Sequence, residues 1–162
     1  MEMRDKLDWH PGSKAHNSPL HREFDKDKAK ANRAVVCPDG GQYALDLHPL
    51  ATSDQNKVNG QVQCDEYAFA ASKESGGSQA GVTNGSQCLQ AYARKDADGK
   101  WRLYDDLRPP NTAPTYTEKC ARASMHGGQN ERAGSRLSGF YTKQRMLDDD
   151  AYFIDVPGLV RP

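Results

Sequence analysis

Two short stretches of this chain carry residues that could do chemistry. The first is Cys64-Asp65-Glu66-Tyr67-Ala68-Phe69-Ala70, two adjacent carboxylates between a strand-like segment and an apolar one. Successive residues of a strand point to opposite faces, so Asp65 and Glu66 should not perform the same task. One would face a site while the other orients a partner or anchors a cation. The second stretch runs from Gly127-Gly128-Gln129-Asn130 through Glu131, Arg132, Ala133, Gly134, Ser135 and Arg136. A glycine-rich turn opening a helix leaves the first amides unpaired and positively polarised, a natural seat for phosphate. The amide oxygen of Asn130 suits a hard cation. Arg132, Ser135 and Arg136 are the expected phosphate contacts.

Charge favours the second stretch. The chain has 22 basic and 22 acidic residues and no net charge, which excludes a globally basic nucleic-acid packager. Between residues 119 and 145, however, Lys119, Arg122, Arg132, Arg136, Lys143 and Arg145 face a single acid, Glu131. A local excess of this kind in a neutral chain fits a polyanion site. A carboxylate, a cation-capable amide and clustered arginines make the minimum set for phosphodiester hydrolysis. That reaction needs a base for water, positive charge on the transition state and help at the leaving oxygen.

The elements that must position these residues are modest. With 162 residues the chain fits one domain, and with 36% hydrophobic residues its core is thin. Its 14 glycines and 9 prolines imply much loop. Residues 1–22 read as a polar, irregular lead-in, 23–157 as the domain and 158–162 as a tail. A helix is expected over 25–36, closed by Cys37-Pro38-Asp39-Gly40-Gly41. Residues 38–60 read as loop around a short apolar piece at 43–47. Strands are expected at 61–64, 115–125 and 151–156, the last one buried. Asp98-Gly99 is a turn signal for a hairpin over 88–107. Gly127-Gly128 should break the chain before a helix that Asn130 caps and that runs to about 146. These elements make an α+β fold, a small mixed or antiparallel sheet with helices packed on it.

Four widely spaced cysteines, Cys37, Cys64, Cys88 and Cys120, with no CxxC, argue against zinc and for two structural disulfides in an oxidising compartment. Three connectivities are possible, and proximity along the chain favours Cys37–Cys64 and Cys88–Cys120. No apolar run is long enough to cross a membrane. The charged first ten residues lack a signal core, as expected of a mature protein or of a piece of something longer.

These residues also carry a family resemblance. CDEYAFA (64–70), followed by Ser72-Lys73-Glu74 and Gly76-Gly77, resembles the CDEYPFAST…EGG signature of NucA/NucB-type deoxyribonucleases. Residues 129–156, QNERAGSRLSGFYTKQRMLDDDAYFIDV, are similar to that family's second block, and 18–37 to the lead-in of actinobacterial members. The likeness spans most of residues 18–156, and the hairpin at 88–107 looks like an insertion. The resemblance implies a ββα-metal nuclease core. It implies a metal-dependent endonuclease, largely indifferent to sequence, that hydrolyses DNA with Mg²⁺ or Mn²⁺. Asp65 would be the general base where most ββα-metal nucleases use histidine. Glu66 would support it or take the metal side, and Asn130 would be the metal-bearing residue of the helix.

Two departures stand out. Ala68 replaces the usual proline, and Ser138, Gly139 and Phe140 occupy positions where related nucleases can place another acid or amide. The metal would thus rest on few protein ligands. Such an enzyme is expected to be secreted, or delivered as the antibacterial toxin domain of a larger protein with an immunity protein as partner. The competing expectations are a disulfide-stapled binding module that has lost activity, and a nuclease directed at RNA. Among bases, His126 and His48 are the rivals of Asp65, His126 ranking lower because Gly127-Gly128 gives it a loop-like context. A carboxylate near its reference pKa of about 3.9 is a weak base. A neighbouring Glu66 should raise it.

Overall fold

A computed structural model describes residues 2–38, 62–107 and 111–154. The fold is α+β. A four-stranded sheet is ordered β2-β5-β3-β4, from β2 (Val62–Tyr67), β3 (Leu89–Lys95), β4 (Trp101–Asp105) and β5 (Ala121–His126). β2 and β5 are antiparallel, as are β3 and β4, while β3 and β5 run parallel. β2 is therefore an edge strand. A second, two-stranded ribbon joins β1 (Leu20–His21) to β6 (Ala151–Tyr152). The helices are α1 (Glu2–Lys6), α2 (Lys26–Val36) and α3 (Gly127–Lys143).

The expected helix at 25–36 forms as α2. Asp25 caps it, its carboxylate accepting from the amides of Asp27 at 2.9 Å and Lys28 at 3.3 Å. The hairpin also forms as read, with Gly99 at φ 78° in its turn. β3 is an interior strand, however, so the hairpin is built into the sheet rather than appended to it. The polar lead-in is likewise no appendage. Met3 and Leu7 lie in the core with Tyr67, Leu89, Ala91, Ala121 and Ala123, and Leu20 is fully buried beside Ala68, Tyr141, Met146 and Tyr152.

Three other expectations need correction. The strand expected over 115–125 begins only at Ala121. The pair Gly127-Gly128 does not break the chain, since α3 starts at Gly127 directly after β5, so Asn130 is a first-turn residue and not the cap. The strand expected over 151–156 is a two-residue pairing with Ala151 exposed, and residues 155–156 lie outside the described residues. The loop expected over 38–60, with its apolar piece at 43–47, falls outside them almost entirely. The Tyr67–Ala68 peptide is cis.

Both disulfides form, Cys37–Cys64 and Cys88–Cys120. They sit together with Val36 in one buried cluster. Cys37–Cys64 fastens the end of α2 to the middle of β2. Gly76 and Gly77 let the next turn press against this assembly. A Cβ on Gly77 would lie 2.4 Å from the Asn32 backbone, and one on Gly76 2.6 Å from Cys120 Cβ. No side chain larger than hydrogen fits there.

Candidate active site

The register of the sheet fixes which way the two carboxylates point. Asp65 stands opposite Ala123, and Tyr67 opposite Ala121, on the face that packs against Met3 and Leu7. Glu66 and Cys64 face the other way, toward α2. The alternation expected from the sequence is thus present. Yet β2 is an edge strand, and a cleft of about 320 Å³ beside it takes in residues from both faces. Asp65, Glu66 and Asn130 all line this cleft, with α2 forming one wall and α3 the other.

Asn130 is held by β2. Its Nδ2 donates to Gln63 Oε1 at 3.1 Å and, more weakly, to the Cys64 carbonyl at 3.5 Å. Gln63 is fixed in turn, because its Nε2 donates to Glu131 Oε1 at 3.0 Å. With its nitrogen engaged, Asn130 has Oδ1 left as its ligand atom. Glu66 is buried and accepts from Arg33 Nη1 through both oxygens, at 3.2 and 3.3 Å.

The electrostatics follow from burial. Removal from water pushes the Asp65 carboxyl up to about 7, the Glu66 charge adds to this, and Arg33 opposes it. Burial raises Glu66 as well, again against Arg33. The expected effect of Glu66 on Asp65 is present, but desolvation is the larger cause. At neutral pH Asp65 is poised between its two forms, the condition under which a carboxylate is most useful as a base.

The cleft holds ligand types suited to a hard divalent cation, with Glu66 already engaged by Arg33. Two carboxylates and an amide oxygen are the ligand types that Mg²⁺ and Mn²⁺ prefer, and a cation there would offset the crowding of two acids. Among the described residues no group of three or more His, Cys, Asp or Glu could hold a metal. A cation in the cleft would therefore rest on Asp65, Glu66, Asn130 and water.

The expected phosphate contacts lie elsewhere. The cleft face of α3 consists of Asn130, Ala133, Gly134, Leu137, Ser138 and Tyr141. Arg132, Ser135 and Arg136 are exposed on the rest of the helix and do not line the cleft. Arg122, counted in the basic segment, is buried in the sheet, donating to Gln90 Oε1 at 2.7 Å and to the Val36 carbonyl at 3.2 Å. Lys119 Nζ donates to the Ala80 carbonyl at 2.7 Å. The cations that do line the cleft are Arg22, Lys26 and Arg33. A signal for two of them exists in the sequence. Lys26, Ala29 and Arg33 recur at helical spacing on one face of α2. Of the rival bases, residue 126 ends β5 and is not in a loop, while its side chain and all of His48 lie outside the described residues.

No protein-family model, curated protein or solved structure matches this chain. Among the described residues no helix is long and apolar enough to cross a membrane.

Proposed function

We propose that the cleft hydrolyses phosphodiester bonds of DNA with the help of Mg²⁺ or Mn²⁺, with little regard to base sequence. The observation that carries this reading is the convergence of Asp65, Glu66 and Asn130 on one cleft between two helices, of which α2 also presents Lys26 and Arg33. Asp65 takes the proton from the attacking water as a new P–O bond forms and the bond to the leaving oxygen breaks. Glu66, held by Arg33, raises the Asp65 carboxyl, and with Asn130 it would help to hold the cation. Arg33 and Lys26 offer positive charge to the phosphoryl oxygens. When bound, the divalent cation supplies further charge against those oxygens.

In this reading β2, β5 and α3 are the two strands and the helix of a ββα-metal core, the base on the first strand and Asn130 on the helix. The two disulfides are compatible with an extracellular enzyme, or with a toxin domain neutralised at home by an immunity protein. The test is nicking of supercoiled plasmid by the oxidised protein. Relaxed and linear DNA should accumulate with Mg²⁺ or Mn²⁺ and not with EDTA. Cleavage of RNA alone would redirect the proposal to RNA. Cleavage of neither would leave a binding module.

A further inference from the structure

Phe24 is a cleft residue to which hydrolysis gives no task. It is 58% exposed, unusual for a phenylalanine, and lines the cleft beside Lys26. It is also firmly held. Its backbone N–H donates to Asp148 Oδ1 at 3.0 Å, and the Arg22 guanidinium lies 4.7 Å from its ring centroid. Arg22 is fixed in turn, 5.0 Å from the Tyr141 centroid and donating from Nη1 to the Met146 carbonyl. The Phe24 ring is thus braced by Arg22 while much of its surface meets solvent. The neighbouring cleft surface is apolar, from Phe69, Ala70, Ala71 and Leu137. Lys26 makes no ion pair among the described residues, so its charge is available to a ligand.

A flat apolar partner followed by an anion is the pattern of a nucleotide. We infer that Phe24 is a stacking platform for an unpaired nucleobase and that Lys26 takes the adjacent phosphate, so that the substrate class is single-stranded or locally melted nucleic acid. A base inside a duplex is stacked on both sides and offers only its edges, whereas an unpaired base offers a face. This inference rests on the reading of the cleft as a phosphodiester hydrolase.

The test is fluorescence anisotropy in EDTA on the Asp65→Asn background. Its probes are a labelled oligothymidylate, an abasic oligomer of the same length and a blunt duplex. Oligothymidylate should bind most tightly. Phe24→Ala should weaken that binding about 5- to 160-fold, the range for loss of one base–aromatic stack, and leave the abasic oligomer unchanged. Phe24→Trp should restore it. An unaltered melting temperature for Phe24→Ala excludes misfolding as the cause. Equal affinity for thymidylate and abasic oligomers, tightest binding to the duplex, or equal loss on both single strands in Phe24→Ala overturns the platform alone. If none of the probes binds and wild type cleaves no nucleic acid with Mg²⁺, the hydrolase reading falls and the platform falls with it.

Discussion

Two of the protein's arginine–carboxylate pairings have opposite results. In the cleft, Arg33 meets Glu66 beside Asp65. At the tip of the β3–β4 hairpin, Arg102 meets Asp98 at 2.7 Å and Asp96 at 2.7 Å. The two arginines are comparably exposed, their side chains at 42% and 37%. The acids are not, with Glu66 at 6% and Asp98 at 44%. At the hairpin, hydrogen bonds win. Arg102 holds Asp98 below the usual carboxylate range, and the Tyr104 hydroxyl, 2.6 Å away, does most to lower Asp96. In the cleft, desolvation wins and both acids rise. A surface ion pair braces a turn, whereas the buried one leaves Glu66 raised and stands beside an Asp65 raised to about 7.

Substitution of Asp65 by Asn should break the comparison most sharply. Cleavage is expected to fall about 10²- to 10⁴-fold, the range for loss of a general base, as read by plasmid nicking. The same variant should melt higher than wild type at pH 8. The sign follows from linkage. The folded state holds the Asp65 proton more tightly than the unfolded chain, so stability falls as pH rises between about 4 and 7. Thermal melts across that window should show the decline in wild type and its loss in Asp65→Asn.

Arg33→Ala comes next. Without its guanidinium the carboxyls of Asp65 and Glu66 rise further, so the rising limb of the pH–rate profile should move to higher pH. Activity should fall about 10²-fold, the loss typical of one group that stabilises charge in the transition state. The matching Arg102→Ala should leave the profile unmoved. Retention of the wild-type profile by Arg33→Ala would remove the cleft pair from catalysis.

The disulfides sharpen the same contrast. Removing either bridge, as Cys37→Ser with Cys64→Ser or Cys88→Ser with Cys120→Ser, should cost about 2–4 kcal/mol in denaturant melts. Cys37–Cys64 joins the wall that carries Arg33 to the strand that carries Asp65. Its loss should lower cleavage at temperatures where the chain is still folded, and loss of Cys88–Cys120 should do so less. The smallest effect is expected on α3, where a Cβ on exposed Gly139 would meet nothing within 4 Å. Gly139→Ala should stabilise by about 0.5–1 kcal/mol without altering cleavage.

Local chemistry was legible in the sequence where a residue acts on its near neighbours. Asp25 announces α2, Asp98-Gly99 announces the hairpin, and the spacing of the cysteines favours the pairing that forms. The acids at 65 and 66 and the amide at 130, singled out from their residue types, line one cleft. Two kinds of information were not legible. The rotation of α3 decides which side chains enter the cleft, and a count of charges cannot give it. Arg132 and Arg136 therefore looked like ligands, while Lys26 and Arg33 on another helix line the cleft. The role of the edge strand was hidden as well. Alternation rightly assigned Asp65 and Glu66 to opposite faces, and among the described residues β2 is the edge of its sheet, beside which one cleft reaches both.

The proposed hydrolysis depends on desolvation making Asp65 a base within reach of a divalent cation. The most direct measurement of this is the titration of the Asp65 carboxyl carbon by NMR, with and without Mg²⁺. A midpoint near 7 is expected in EDTA, displaced to lower pH when Mg²⁺ is added. A midpoint close to the ordinary aspartate value, unmoved by the cation, would contradict it.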